Sequence, residues 1–563
     1  MAAPMLGADS LLDGLDEQQR VAARALIGPV VMLAGAGTGK TRAITHRIAY
    51  GVATGVYAPG RVMALTFTSR AASELRGRLR QLGATGVSAR TFHASALSQL
   101  GFFWPQVIGG TMPRILDSKG RILGHAAETL KLKLDTATLR DLAADIEWRK
   151  VSRLTLDQYS RIVESRPLPA ALDAEKMLAL HSRYESLKDD RRQLDFEDVL
   201  LATAGMIESE PRVAQQVREQ YRFFVVDEYQ DVSPLQQALL DLWVGDRQDV
   251  CVVGDASQTI YSFAGASSGY LLGFPAKYRE ATVVRLEQNY RSSTHIVHTA
   301  NRLMKSRPGA LSLTAAVEAP GTVAPTIESY PSEMAEARAI AQSISEQIAA
   351  GARAQDIAVL YRINVQSAAI ETALNDVNVN FQLRGGPRFF DLQEVKQALM
   401  MLKGAVVAST HEPLFKTVSD VLRSLSWTQN PPEARGAVRD RWESLNAIMG
   451  LAEAAPQGTT LAEFVDELFE RSAAQHEPTM AAVTLATIHS AKGLEWDTVH
   501  ILGLSEGFLP ITYATTEEAI EEERRLLYVG ITRARRRLHL SSARSGSGRG
   551  AERKPSRFLA ELQ

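Results

Sequence analysis

One cysteine in 563 residues, Cys251, leaves nothing from which to build a disulfide framework or a cysteine-based zinc site. Such sparing use fits a reducing compartment. The N-terminal stretch MAAPMLGADS lacks a basic region followed by an apolar run, so no signal peptide is expected. No apolar run approaches the roughly 18 residues that cross a bilayer as a helix. An excess of either charge is also missing: the formal net charge is −1. A binder of polyanions that relied on overall charge would be basic. Any such path here must be a local groove, offset by acidic surface elsewhere. No repeat of fixed period is found.

What is present is ordinary material for large cores. Hydrophobic residues make up 45% and charged residues 23%. The length is too great for one core and predicts three or four domains. Short apolar runs occur at 30–33, 62–65, 223–226, 250–253, 282–286, 357–360 and 498–502. Most end in polar or glycine-containing turns and alternate with helical stretches, which predicts an α/β fold with parallel sheets. Two segments, 94–204 and 393–482, are helical in period and poor in strand signals, and are expected to be helical insertions. The stretch 541–555 is rich in Gly, Ser and Arg and is expected to be a basic loop.

The run Val30-Val31-Met32-Leu33 leads directly into Ala34-Gly35-Ala36-Gly37-Thr38-Gly39-Lys40-Thr41. A strand, a glycine-rich turn and a helix start form a phosphate cradle of the Walker A kind. Backbone N–H groups hold phosphate oxygens, Lys40 reaches the β- and γ-phosphates, and the Thr41 hydroxyl ligates Mg²⁺. The strict pattern opens on Gly, where this chain has Ala34. The complementary half is Val225-Val226-Asp227-Glu228, a strand ending in two carboxylates. Asp227 is the metal-side carboxylate, and Glu228 is placed to orient or deprotonate an attacking water.

The segment Asp227-Glu228-Tyr229-Gln230-Asp231 resembles motif II of the UvrD/Rep/PcrA helicases of superfamily 1A, and Ala34 is the form of Walker A those helicases use. Further matches follow in order along nearly the whole chain. Leu15-Asp16-Glu17-Gln18-Gln19-Arg20 resembles the Q motif. The resemblance implies that Gln19 reads the adenine edge, with Arg42 near the base. Leu65-Thr66-Phe67-Thr68-Ser69-Arg70 resembles motif Ia and Thr91-Phe92-His93 motif Ib; Thr66, Phe67, Thr91 and His93 are thereby expected along single-stranded DNA. The chemistry agrees, since rings stack on bases and hydroxyls hold phosphates.

Gly254-Asp255-Ala256-Ser257-Gln258-Thr259-Ile260-Tyr261-Ser262-Phe263 resembles motif III, which makes Gln258 a γ-phosphate sensor and Tyr261 and Phe263 base-gripping rings. Phe263 stands where the family has Trp, and Ala264 where it has Arg. One contact is thus lost and a stacking face is kept. Leu286-Glu287-Gln288-Asn289-Tyr290-Arg291-Ser292 resembles motif IV, with Tyr290 stacking on adenine and Arg291 an arginine finger. Ala486-Thr487-Ile488-His489-Ser490-Ala491-Lys492-Gly493-Leu494-Glu495 resembles motif V: Glu495 would hold the ribose, and Thr487 and His489 would follow the DNA. Glu522-Glu523-Arg524-Arg525-Leu526-Leu527-Tyr528-Val529-Gly530-Ile531-Thr532-Arg533 resembles motif VI, with Arg533 the second finger. Arginine's fixed fork of donors suits a transferring phosphate. Tyr361-Arg362-Ile363-Asn364 resembles a DNA-facing segment, with Arg362 and Asn364 as phosphate contacts.

The resemblance implies two RecA-like motor domains, each with a mainly helical insertion. The expected boundaries are 1–93 with 205–280 for the first motor domain (1A), 94–204 for its insertion (1B), 281–392 with 483–563 for the second (2A), and 393–482 for a reduced insertion (2B). It also implies an ATP- and Mg²⁺-dependent DNA helicase, working 3′ to 5′ on single-stranded DNA and single-strand/duplex junctions in the nucleoid-associated cytoplasm. Repair or replication is the expected setting, repair proteins the expected partners, and a monomer the default. Domain closure on ATP and opening after hydrolysis would make each step. The compact 2B and the Ala-Ser-Gln-Thr form of motif III are most similar to an actinobacterial UvrD paralogue. No Gly-Ile-Gly duplex-contact element is found in 2B, and the sequence ends at 563 without that group's Cys-rich segment and HRDC domain, as a shortened chain would. The alternative expectation is therefore a translocase that displaces bound proteins with little unwinding.

Overall fold

The computed structural model describes residues 7–166, 168–169, 172–316, 322–384, 390, 392–407, 413–430, 437–453, 455–456, 458–474, 481–545 and 552–562. Two compact units divide the chain. One comprises residues 1–289 with 306–312, the other residues 290–305 with 313–563.

Six strands form the sheet of the first unit: β1 Val30–Ala34, β2 Val62–Thr66, β3 Ser88–Thr91, β4 Phe223–Val226, β5 Val250–Gly254 and β6 Thr282–Leu286. Their order is β3-β2-β4-β5-β1-β6 and every pairing is parallel. β1, β2, β4 and β5 are apolar at successive positions because both faces are covered. Val31, Met63, Leu65, Phe224, Val226 and Val252 enter one core, with residues of the helices Phe92–Val107, Phe196–Ser209 and Pro234–Val244. Their neighbours Val30, Met32, Val62, Ala64, Val225 and Val253 enter the opposite core, under Lys40–Ala53 and Ser69–Gln81.

The second sheet comprises β7 Thr326–Tyr330, β8 Ile357–Tyr361, β9 Phe381–Arg384, β10 Val483–Thr487, β11 Trp496–Ile501 and β12 Ala534–Ala543. Its order is β7-β12-β11-β8-β10-β9, again all parallel. Two six-stranded parallel sheets are the α/β architecture expected of paired RecA-like domains.

Three expectations change. Thr282–Leu286 does not open the second motor domain but pairs with β1, because Val284 and Leu286 fill the first unit's core. Helices Phe92–Val107 and Phe196–Ser209 cross the expected boundaries at 94 and 204 and pack on the first sheet; the separate core of that insertion draws on Lys119–Thr129, Thr136–Val151 and Ala174–Asp190. Within 541–555, residues 541–543 complete β12 with Ser541 and Ser542 buried, while 546–551 lie outside the described residues. Helices Gln393–Val407, Leu414–Ser424, Ala437–Glu453 and Leu461–Ala474 share a core of their own. Among the described residues, no helix is long and apolar enough to cross a membrane.

Candidate nucleotide site and nucleic-acid interface

Strand order assembles the first site. β4, β5 and β1 are neighbours, so the turns after Val226, Gly254 and Ala34 meet at one carboxyl edge. The 34–41 loop closes through Thr38 Oγ1, which donates to the Gly35 carbonyl at 2.9 Å. Gly37 and Gly39 have φ of 71° and 77°. A Cβ on Gly39 would stand 2.7 Å from Gln19 Nε2, so both conformation and close approach require glycine there.

Gln19 is buried. Its Nε2 donates to the Thr38 carbonyl at 2.9 Å, and its backbone N–H closes on Asp16 at 2.7 Å in a capping box. Gln19 thereby braces the glycine-rich 34–41 loop. Arg42 is exposed and donates to the Gly14 carbonyl at 2.6 Å. The Ala36 carbonyl accepts from Asn289 Nδ2 at 2.7 Å, a brace that sequence reasoning missed.

Lys40 Nζ lies 3.9 Å from Glu228 Oε1. Glu228 has φ 52°, an uncommon conformation for a residue with a Cβ and one that clusters at functional turns. Its Oε2 accepts from Gln230 Nε2 at 2.6 Å. Gln230 Oε1 in turn accepts the Asp255 N–H at 3.0 Å, and Asp255 Oδ2 accepts from Gln258 Nε2 at 2.8 Å. A buried chain thus runs from the candidate base to the candidate γ-phosphate sensor. Gln230 and Asp255 were legible only as members of motif segments; nothing local showed that they are its links.

Asp227 is buried beside Glu228. Burial, and then the charge of Glu228, push its carboxyl up to about 7 against the pull of Lys40. Two adjoining carboxylates with a single ammonium beside them suit a divalent cation. Among the described residues no three His, Cys, Asp or Glu side chains converge into a metal cage. One carboxylate and the Thr41 hydroxyl fit Mg²⁺, which keeps waters and takes substrate phosphates for the rest of its shell.

The ends of β2 and β3 bring Thr66 and Thr91 into register. Thr66 is buried, with Oγ1 donating to the Thr68 carbonyl at 3.2 Å. Thr91 caps the Phe92–Val107 helix, accepting the Ala94 N–H at 3.1 Å. Phe67 is partly buried against the core. His93 meets Phe196 edge-on, with ring centroids 5.8 Å apart. Phe196 is half exposed and was also missed, because its Leu-Asp-Phe setting reads as an ordinary helix start. Burial, then Lys119, lower His93 to about 4. Tyr261 and Phe263 meet at 6.1 Å, and Phe263 is 67% exposed.

In the second unit the sheet separates two groups of residues. Glu495 precedes β11, Arg533 precedes β12 and Arg535 is at its start, while Arg362 and His489 follow the opposite ends of β8 and β10. Arg291 pairs with Glu495 and donates Nη1 to the Thr532 carbonyl at 3.3 Å. Arg535 Nη2 takes the other Glu495 oxygen at 2.5 Å. Glu495 is held ionised against burial by Arg291 and Arg535. Arg533 is buried, donating to the carbonyls of Val529 at 2.9 Å and Leu494 at 3.2 Å. Tyr290 is half exposed.

Thr487 Oγ1 bonds Ser490 Oγ at 2.8 Å. His489 is lowered to about 4 by burial, then by Arg362 and Lys492. Asn364 is exposed, whereas the Arg362 guanidinium is committed to Glu523, with Nη2 to Oε1 at 2.8 Å.

Residues 15–279 match the UvrD/REP helicase N-terminal domain. Residues 284–429 and 405–545 match the UvrD-like helicase C-terminal domain. The ATP-dependent DNA helicase UvrD2 of Mycobacterium tuberculosis is 47% identical over 98% of this chain and 82% of its own. PcrA of Bacillus subtilis is 28% identical over 98% and 86%, and DNA helicase II of Escherichia coli 29% identical over 98% and 88%. Both domain matches and near-complete coverage lead to one conclusion: this chain is a member of the UvrD/REP helicase family.

Proposed function

We propose that this protein is an ATP-dependent DNA helicase that moves 3′ to 5′ along single-stranded DNA and opens duplex at a junction. The observation that carries the reading is the convergence of Lys40, Asp227 and Glu228 at one sheet edge, with the buried Gln230–Asp255–Gln258 chain behind them. The names of its relatives support it.

The roles follow from chemistry. The N–H groups from Gly35 through Gly39, with Ala34 setting the loop's start, hold phosphate oxygens, and Lys40 neutralises them. Thr41 and Asp227 would hold Mg²⁺, which supplies further neutralisation of the β- and γ-phosphates when bound. Glu228 orients the attacking water and takes its proton, and Gln258 registers the γ-phosphate through Asp255 and Gln230. Arg291 and Arg533 supply charge to the transferring phosphoryl group. Gln19, Arg42 and Tyr290 serve the base, and Glu495 the ribose.

Phe67, Thr91, His93, Tyr261 and Phe263 line the DNA side of one unit with Thr66 buried beneath them, and Asn364, Thr487 and His489 line that of the other, with Arg362 beside them. Exposed Phe196 extends the first surface. The separately packed helices within 119–190 and 393–474 serve as the 1B and 2B insertions. DNA repair or replication in the nucleoid is the setting that fits. The second reading, a translocase that strips proteins from DNA, is favoured by the small core that the described helices of the 2B region share.

Steady-state ATPase with and without single-stranded DNA tests the motor. Strand displacement on 3′-tailed and 5′-tailed duplexes tests unwinding and polarity. DNA-stimulated hydrolysis lost in Glu228→Gln, with displacement of the 3′-tailed duplex, is the expected result. Stimulation without displacement selects the translocase, and no stimulation refutes both.

A further inference from the structure

The second unit holds a buried ion pair for which the roles above give no use. Arg362 leaves the end of β8, and Glu523 lies on the helix Glu517–Ile531. Arg362 Nε donates to both carboxylate oxygens at 3.1 and 3.0 Å, and Nη2 donates to Oε1 at 2.8 Å. The two side chains are 13% and 6% exposed. The same carboxylate accepts the Ile511 N–H through Oε2 at 3.1 Å. Glu523 therefore ties the end of β8 to the 503–516 loop.

Burial opposes charge on Arg362, but Glu523 and then the Tyr513 hydroxyl outweigh it and hold the guanidinium more firmly protonated. A DNA phosphate could take this arginine only by leaving a buried carboxylate without its partner, which is costly. The pair suits holding rather than binding.

What it holds is the 503–516 loop. That loop is braced internally: Gly507 N–H to the Pro510 carbonyl at 3.0 Å, Thr512 N–H to Gly507 at 3.2 Å, and Ala514 N–H to Ile511 at 2.9 Å. On it, Tyr513 is 73% exposed, more than any other large apolar side chain among the described residues. Its neighbourhood is the carboxyl edge of β8 and β10: the Tyr513 hydroxyl bonds Arg362, whose charge acts on His489. An aromatic ring kept in water on a braced loop is a stacking face with little freedom left to lose. Base stacking on such a face tolerates any sequence.

We propose that Tyr513 stacks on a base of single-stranded DNA and that Glu523 is its positioning residue, acting through Arg362 and the Ile511 N–H. This rests on the reading of the chain as a DNA-binding motor. Glu523 also shares its helix with the Thr532 and Arg533 end, so one rigid element would join the DNA surface to the arginines assigned to phosphate.

The test is fluorescence anisotropy of the full chain with a labelled oligothymidylate and with an abasic strand of equal length. Tyr513→Ala should weaken binding of the base-bearing strand by about tenfold. Tyr513→Phe should keep most of the affinity, because the stacking ring stays and only the hydroxyl's contact with Arg362 is lost. On the abasic strand the wild type and Tyr513→Ala should be equal. Glu523→Gln should weaken binding, and the double variant should bind no worse than the weaker single one, because both changes remove one interaction. Circular dichroism checks the folding of each variant; should Glu523→Gln not fold, Arg362→Lys carries that arm.

Undiminished binding by Tyr513→Ala overturns the proposal. So does a Tyr513→Phe loss as large as that of Tyr513→Ala, or full additivity of the two changes. A wild type that binds neither strand overturns the DNA-motor reading itself, and this proposal with it.

Discussion

Lys40 Nζ stands 3.9 Å from Oε1 of Glu228, although 188 positions separate the two residues (228 − 40). The ammonium belongs to the end of the glycine-rich 34–41 loop and the carboxylate to the turn after β4. A γ-phosphate held by Lys40 would therefore lie within reach of a water held by Glu228. Glu228→Gln keeps the shape and removes the base. It should lower ATP turnover by about 10² to 10⁴-fold, while binding of a fluorescent ATP analogue persists. Undiminished turnover would remove Glu228 from the chemistry.

Gln230 holds Glu228 from behind and is fully buried. Gln230→Leu leaves the Asp255 N–H and the Glu228 carboxylate without this partner. The expected loss is about 1–3 kcal/mol of stability, read from urea unfolding, together with slower turnover in the fraction that remains folded. A normal rate in folded protein would show that the chain to Gln258 has no part in hydrolysis.

Gly39→Ala places a methyl group at a positive φ and 2.7 Å from Gln19 Nε2. The backbone strain alone is about 1–2 kcal/mol, and the Gln19 brace must move. ATP affinity should fall by isothermal titration. The same substitution at Gly28, also at positive φ but with nothing within 4 Å, should cost stability and spare nucleotide binding.

Phe263 is two-thirds exposed, so Phe263→Ala should leave the unfolding midpoint nearly unchanged. It should weaken single-stranded DNA binding by about 1–3 kcal/mol, the worth of one stacked base. Phe263→Trp should retain the affinity. A large drop in melting temperature with Phe263→Ala would instead assign the ring to packing.

His93 and His489 are each lowered from 6.5 to about 4, by burial first and nearby cations second. Both are therefore neutral in the folded chain near pH 7. The unfolded chain binds these protons at the ordinary value, so acid favours unfolding. Their contribution is complete above 6.5 and is lost as pH falls toward 4. Urea midpoints measured across that window should decline, and the double variant His93→Gln/His489→Gln should show a shallower decline.

Much of the first sheet was legible because its strands are buried on both faces and so read as apolar runs. β3, which reads Ser-Ala-Arg-Thr and buries Ala89 alone of its four residues, was not. The second sheet was harder for the same reason. β7 is half exposed and reads Thr-Ile-Glu-Ser-Tyr, and β12 begins Ala-Arg-Arg-Arg before its buried half. Periodicity cannot separate such strands from loops. The helical character of 94–204 was visible, but not that its first and last helices pack on the first sheet, since an apolar helix face carries no label for its partner.

The sequence by itself determined the chemistry available: a glycine-rich cradle with Lys40 and Thr41, two carboxylates after a strand, and an ordered series of motifs that names the family. Those signals are local, because a tight turn, a strand end and a helix start are each written in a few adjacent residues. Only the tertiary structure decided which side chains are spent on one another. The order β4-β5-β1 joins Glu228 to Gln258 through Gln230 and Asp255. The order β11-β8-β10 sets Arg362 beside the 503–516 loop, where Glu523 clamps it. Strand order arises from packing between segments far apart in the chain, so no window of sequence contains it.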